Sequence, residues 1–112
     1  MSFAAYLTFP GTCRAAMTFY ADLFGASDLQ IMDFASAPEG QRPPGDAARV
    51  MHAQFSAGPG APLMAADLPE GMEARAGQAT VYHAAPSLDR ARAIFEALAR
   101  GGRIDFPFAA TF

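Results

Sequence analysis

What this chain has little of narrows it first. A single cysteine, Cys13, stands among 112 residues, so no internal disulfide and no thiolate cluster can form, and zinc-ribbon and paired-thiol redox readings are excluded. Lysine is absent: all 8 basic residues are arginine, set against 11 acidic ones for a net charge of −3. No positive field gathers phosphates or anionic lipid, which argues against nucleic-acid binding. No apolar run reaches the roughly 18 residues that a bilayer crossing requires, because Pro, Gly or a charge interrupts each one, and a membrane partner is not expected. Met1 to Phe9 has no basic stretch ahead of an apolar core and no small-residue cleavage pattern, so no secretory signal is read. With a lone thiol suited to reducing conditions, the expected location is the cytoplasm.

What is present suits a folded domain. Hydrophobic residues make up 52% of the chain, with 10 Phe and 3 Tyr, against 17% charged, enough to bury a core. Domains commonly run about 100 to 200 residues, so one domain spanning 1–112 is expected. Inside it the stretch Tyr6 to Gly25 recurs 76 residues later as Tyr82 to Gly101 without a gap. The pairs Tyr6 and Tyr82, Pro10 and Pro86, Arg14 and Arg90, Ala15 and Ala91, Phe19 and Phe95, Ala21 and Ala97, and Gly25 and Gly101 match, seven identities in twenty positions. Those on Tyr, Pro, Phe and Gly fall at equivalent punctuation, which marks a duplicated unit.

Each copy reads as a strand, a Pro-containing turn, and a helix stopped by glycine. In the first copy Ala4 to Phe9 is the strand, Thr12 the cap, and Ala16, Phe19, Tyr20 and Leu23 the apolar stripe. In the second, Ala79 to Ala85 is the strand, Ser87 the cap, and Ala91, Ile94, Phe95 and Leu98 the stripe. Leu29 to Phe34, Arg49 to Phe55 and Pro62 to Ala66 are three further strands, the last two joined by a hairpin at Gly58-Pro59-Gly60. Ala35 to Ala48 carries three prolines and two glycines without periodicity and reads as a mobile loop. The predicted fold is α+β: two tandem βαβββ units forming an incomplete barrel. Unit one covers about 1–68, a linker 69–77 and a partial unit two 78–112. Only Arg103 to Phe108 follows the second helix as a strand, so unit two is truncated at the C-terminus, about 30 residues short of a full copy. An unpaired sheet edge of that kind predicts a homodimer.

The residues also resemble a known family. Tyr6-Leu7-Thr8-Phe9, Gly11-Thr12-Cys13-Arg14-Ala15-Ala16, Phe19-Tyr20, Leu23-Phe24-Gly25, Met51-His52-Ala53, Leu63-Met64-Ala65-Ala66-Asp67, Phe106-Pro107 and Thr111-Phe112 are similar to the PhnB-like branch of the vicinal oxygen chelate superfamily, which groups glyoxalase, bleomycin-resistance and dioxygenase proteins. The resemblance covers nearly the whole chain, although the branch continues past its Thr-Phe pair into Trp-bearing segments that this sequence does not contain. It implies two half-barrels around a cleft where a divalent metal meets a small substrate, without specifying the reaction. Members isomerise, epimerise, open epoxides, cleave rings or sequester a drug. Branch members often carry a demethylubiquinone methyltransferase label, but no glycine-rich nucleotide-type turn appears here to support it.

The superfamily's metal-dependent members need four inward His, Glu or Gln ligands, since such cations take several N or O donors and keep positions open for substrate. On the resemblance, these positions fall on Ala5, on His52, near Thr80 or Val81, and on a strand the chain lacks. His52 is thus the one metal-ligand candidate, and no cofactor is assured. Strand alternation places Val50, His52 and Gln54 on one face. His83 points to the same cleft, making His52 with His83 the best polar pair, and Gln54 and Tyr82 are further cleft candidates. The plainer alternative is two half-buried histidines satisfied by backbone or water. Cys13, in the first turn of a helix, has a dipole that favours thiolate chemistry, but reads more simply as a small core residue. Arg14 and Arg90 read as helix-surface salt-link residues before anion ligands. Phe19, Tyr20, Phe24, Phe95, Phe106 and Phe108, like Met32, Met51 and Met64, read as core. No catalytic residue is assigned. The function expected is that of a PhnB-like superfamily protein of undefined lyase-, isomerase- or dioxygenase-type small-molecule activity with an eroded metal site. The alternative is a non-catalytic dimer that sequesters a small ligand, as antibiotic-resistance members do.

Overall fold

Alternation of exposed Tyr6 and Thr8 with half-buried Leu7 and Phe9 makes Tyr6–Phe9 a one-faced strand, and Pro10, which has no ladder donor, ends it. The computed structural model describes residues 3–73, 75 and 80–110. Along it run β1 (Tyr6–Phe9), α1 (Cys13–Leu23), β2 (Gln30–Asp33), a 3-10 turn at Phe34–Ser36, β3 (Val50–Phe55), β4 (Leu63–Asp67) and α2 (Leu88–Ala99). The chain forms two compact units, Met1–Ala79 and Thr80–Phe112.

In the first unit the four strands form an open mixed sheet in the order β1-β4-β3-β2, with β1 parallel to β4 and the other pairs antiparallel. Helix α1 covers one face. Its buried residues are Cys13, Met17 and Ala21, which meet Val50, Ala53, Phe55 and Ala65 of the sheet. This corrects the expected stripe: Phe19 is 44% exposed, and Tyr20 packs only at the margin. Small residues decide the matter. Cys13 and Ala21 on the helix and Ala53 and Ala65 on the sheet let the backbones approach, with Met17 filling the space between.

A bulge overturns strict alternation in β3. Asp33 pairs with Val50 and Met32 with His52, so Met51 has no opposite residue. The extra residue turns Val50 onto the helix-covered face, fully buried beside Ala53 and Phe55, and away from the face of His52 and Gln54. Ala35 to Ala48 is also more tied than expected. Phe34 and Ala37 are buried, the Ala35 N–H donates to the Ala47 carbonyl, and Arg42 donates to the carbonyls of Ala35 and Ala37.

Asp67 closes this unit. Its carboxylate, 5% exposed, accepts the Gly11 and Cys13 N–H groups at Oδ1 (2.9 and 3.0 Å) and the Val50 N–H at Oδ2 (2.8 Å). Thr12, the expected cap, makes no side-chain capping bond. The start of α1 is capped instead from a strand 54 residues away, by a charge that complements the helix dipole.

In the second unit, Ser87 caps α2 as expected, its Oγ accepting the Arg90 N–H at 3.1 Å, while Asp89 favours the first turn. Ile94 is buried, Phe95 meets Phe108 with ring centroids 5.4 Å apart, and the Arg92 guanidinium lies 4.9 Å from the Phe108 centroid. Gly25 and Gly101, partners in the repeat, end their helices at φ 71° and 72°, a region costly for residues with a Cβ. The repeat therefore recurs as helix plus glycine stop. It does not recur as strands: among the described residues, 80–85 and 103–108 join no ladder, since neither finds a strand to pair with inside its unit. Ala79, which opens the expected strand, Ala74, Ala76 and Gly77 of the expected linker, and the Thr111-Phe112 pair lie outside the described residues.

Asp67→Ala is expected to lower stability by about 4.5 kcal/mol or more, because hydrogen bonds to a buried charge are worth roughly 1.5 to 3 kcal/mol each and three N–H groups lose their acceptor. Thr12→Ala is expected to stay within about 0.5 kcal/mol, as surface changes do. Urea denaturation midpoints of the two variants check both outcomes.

Candidate functional site

The face of the sheet opposite α1 is assembled by register. Gln30 pairs with Gln54, Gln54 with Met64, and Met64 with Tyr6, so one row of side chains crosses all four strands. In the neighbouring row Met32 pairs with His52 and Ala66 with Thr8. Tyr6 and Met32 are 49% and 47% exposed, and His52, Gln54, Met64 and Ala66 are half-buried. None of these side chains is an acid, an arginine or a lysine.

Polar groups on this face form a chain. Tyr6 Oη lies 3.0 Å from His52 Nδ1, and His52 Nε2 lies 2.8 Å from Gln54 Oε1. The Tyr6 and His52 rings are tilted at 47° with centroids 5.6 Å apart. Tyr6 and His52 stand on strands that flank β4, and the small Ala66 leaves room for the phenol to reach across. The Gln54 oxygen can only accept, so His52 carries its proton on Nε2 and donates it there. Nδ1 is then an acceptor, and the Tyr6 O–H donates to it. Partial burial pushes the Tyr6 phenol above its ordinary pKa of 10.0, and negative charge on Cys13 acts in the same direction.

These residues do not fit a divalent cation. Both ring nitrogens of His52 are engaged within the chain, Ala5 has no donor, and among the described residues no cluster of three or more His, Cys, Asp or Glu occurs. The structure brings His52 and Gln54 into contact. Tyr82 and His83 lie in the second unit ahead of α2, both exposed, Tyr82 at 87%. Tyr6, marked in the sequence as a repeat and motif residue and not as a site candidate, proves to be the partner of His52. Its reach across β4 depends on a strand order that no local pattern encodes.

Cys13 takes the plainer of its two readings. It is fully buried, and its thiol is pushed up to about 11, first by burial, then by the Asp67 carboxylate, with Arg14 offsetting a part. The helix N-terminus that was expected to favour a thiolate is already satisfied by Asp67.

Known proteins share this fold. The profile of the family described as Glyoxalase/Bleomycin resistance protein/Dioxygenase superfamily matches residues 3–111. Among solved structures, protein PA1353 from Pseudomonas aeruginosa is similar with a TM-score of 0.83 and 29% identity, over 99% of this chain and 81% of that one. The PhnB protein from Bacillus cereus is similar with a TM-score of 0.68 and 24% identity, over 96% of this chain and 80% of that one. No curated protein matches the sequence.

The raised Cys13 thiol has a signed consequence. The folded state holds the proton above the pH at which the unfolded chain, near 9.0, releases it, so this group's contribution to stability is complete below pH 9 and is lost as pH rises from about 9 to 11. Stability followed over that range is expected to fall less steeply in Cys13→Ala than in the wild type. At pH 8 the folded thiol is expected to resist iodoacetamide and to react on unfolding.

Proposed function

This chain belongs to the glyoxalase/bleomycin resistance protein/dioxygenase superfamily, and from that premise we propose that it is a small-molecule-binding member. Its ligand lies on the open sheet face against Tyr6, His52 and Gln54, without a coordinating metal. The observation that carries this reading is the hydrogen-bonded chain through both His52 nitrogens. A histidine spent on two side-chain partners serves recognition or proton transfer better than it serves a cation, and the flanking Met32, Met64 and Ala66 supply apolar surface for the body of an organic ligand. The motifs from Tyr6 to Asp67 support placing the chain in the PhnB-like branch, and the PhnB neighbour's fold is consistent with it. We read the two compact units as parts of one domain.

The partner in assembly is a second copy of this chain. Exposed Val81, Tyr82 and Phe106 lie in the two segments that join no ladder, and apolar extended segments of that kind are disposed to pair with strand edges. The lone cysteine suits a cytoplasmic setting.

Equilibration with excess nickel, manganese or zinc followed by desalting is expected to leave no stoichiometric metal. A bound metal that disappears in His52→Ala overturns the metal-free reading. A thermal-shift panel of small apolar compounds is expected to give reproducible stabilisation that is lost in His52→Ala. A panel without any hit overturns the binding reading.

A further inference from the structure

The direction of the proton in the Tyr6–His52–Gln54 chain specifies what the site accepts. Gln54 Oε1 receives the Nε2 proton of His52, which leaves Nδ1 bare, and Nδ1 then takes the only proton of the Tyr6 hydroxyl. The exposed side of that hydroxyl offers lone pairs alone. A ligand atom placed against it is favoured if it donates and opposed if it accepts, because two acceptors facing each other leave both unsatisfied. Thr8 and Gln30 can turn either way and do not discriminate. Among the described strand residues of this face none is Arg or Lys, the partners that a carboxylate or phosphate requires.

Resting on the binding reading above, we propose that this site selects molecules carrying a neutral hydrogen-bond donor, a hydroxyl or an N–H, beside a flat apolar body. It discriminates against anions and against ligands that present only acceptors. Tyr6 is the residue that touches the ligand. His52 and Gln54 are positioning residues: they act by holding the phenol proton inward, and the methionines at 32 and 64 mould to the apolar part.

Indole and 1-methylindole make the matched probes, since a methyl group replaces the N–H hydrogen and removes the donor. In titrations of the full-length protein followed by the methyl signals of Met32 and Met64, indole is expected to bind about fivefold more tightly, the size of one neutral hydrogen bond. The preference is expected to vanish in Tyr6→Phe. In His52→Leu, where Tyr6 remains but its proton is released to face the ligand, the acceptor-only probe quinoline is expected to gain affinity about fivefold over the wild type, and this second variant keeps the test open if the first fails to fold. Equal binding of the two probes to the wild type, with both methionine signals shifting, overturns the donor selectivity and leaves the binding face standing. Retention of the indole preference in Tyr6→Phe, or no gain by quinoline in His52→Leu, also overturns it. Failure of both probes to move either methionine signal overturns the selectivity and the site together.

Discussion

Three backbone N–H groups on the buried carboxylate of Asp67 hold the first unit together. A carboxylate removed from water is costly unless its lone pairs are filled, and here they are filled from the turn after β1, from the start of α1 and from the start of β3. The end of β4 is thereby bound to three segments distant in sequence. Because the charge sits at the helix N-terminus, it also sets where α1 begins. That in turn chooses the helix face that meets the sheet, with Cys13, Met17 and Ala21 inward. Burial first, and the same carboxylate second, hold the Cys13 thiol in its neutral form.

With one face of the sheet taken by α1, the other is left to chemistry. The bulge at Met51 matters here, since it sends Val50 to the core and lets His52 and Gln54 stay on the open face two residues later. Without it, a valine made for burial and a histidine made for hydrogen bonding would be directed to the same side. The outcome is a face whose polar groups are neutral and joined in one direction, surrounded by methionine and alanine. On the binding reading proposed above, such a surface selects by shape and hydrogen-bond polarity, not by charge.

Superfamily membership establishes the architecture and leaves the chemistry to the residues, because this fold carries unrelated reactions on one scaffold. In this chain the open sheet face carries a histidine with both ring nitrogens engaged by neighbouring side chains. What distinguishes it is a phenol–imidazole–amide chain, and its properties follow from the donor and acceptor inventory of three side chains.

Much of this was legible in the one-dimensional pattern. Glycine stops, a Ser87 cap, alternating strands and a duplicated segment marked both helices, the first unit's strands and the family, because those signals are local and act within a turn or two of the chain. The motifs around Met51-His52-Ala53 also pointed to His52 and Gln54 as candidate site residues. Other features depended on distance. Asp67 displaced Thr12 as the cap of α1, small residues across the interface turned Phe19 outward, the bulge reassigned Val50, and strand order carried Tyr6 across β4 to His52. Segments 80–85 and 103–108, strand-like in composition, joined no ladder. The sequence by itself determined which segments can be helix or strand and which side chains carry donors and acceptors. Only the tertiary structure decided which of them meet, because a ladder, a buried charge and a hydrogen-bond relay each need a partner that lies tens of residues away and is supplied by packing.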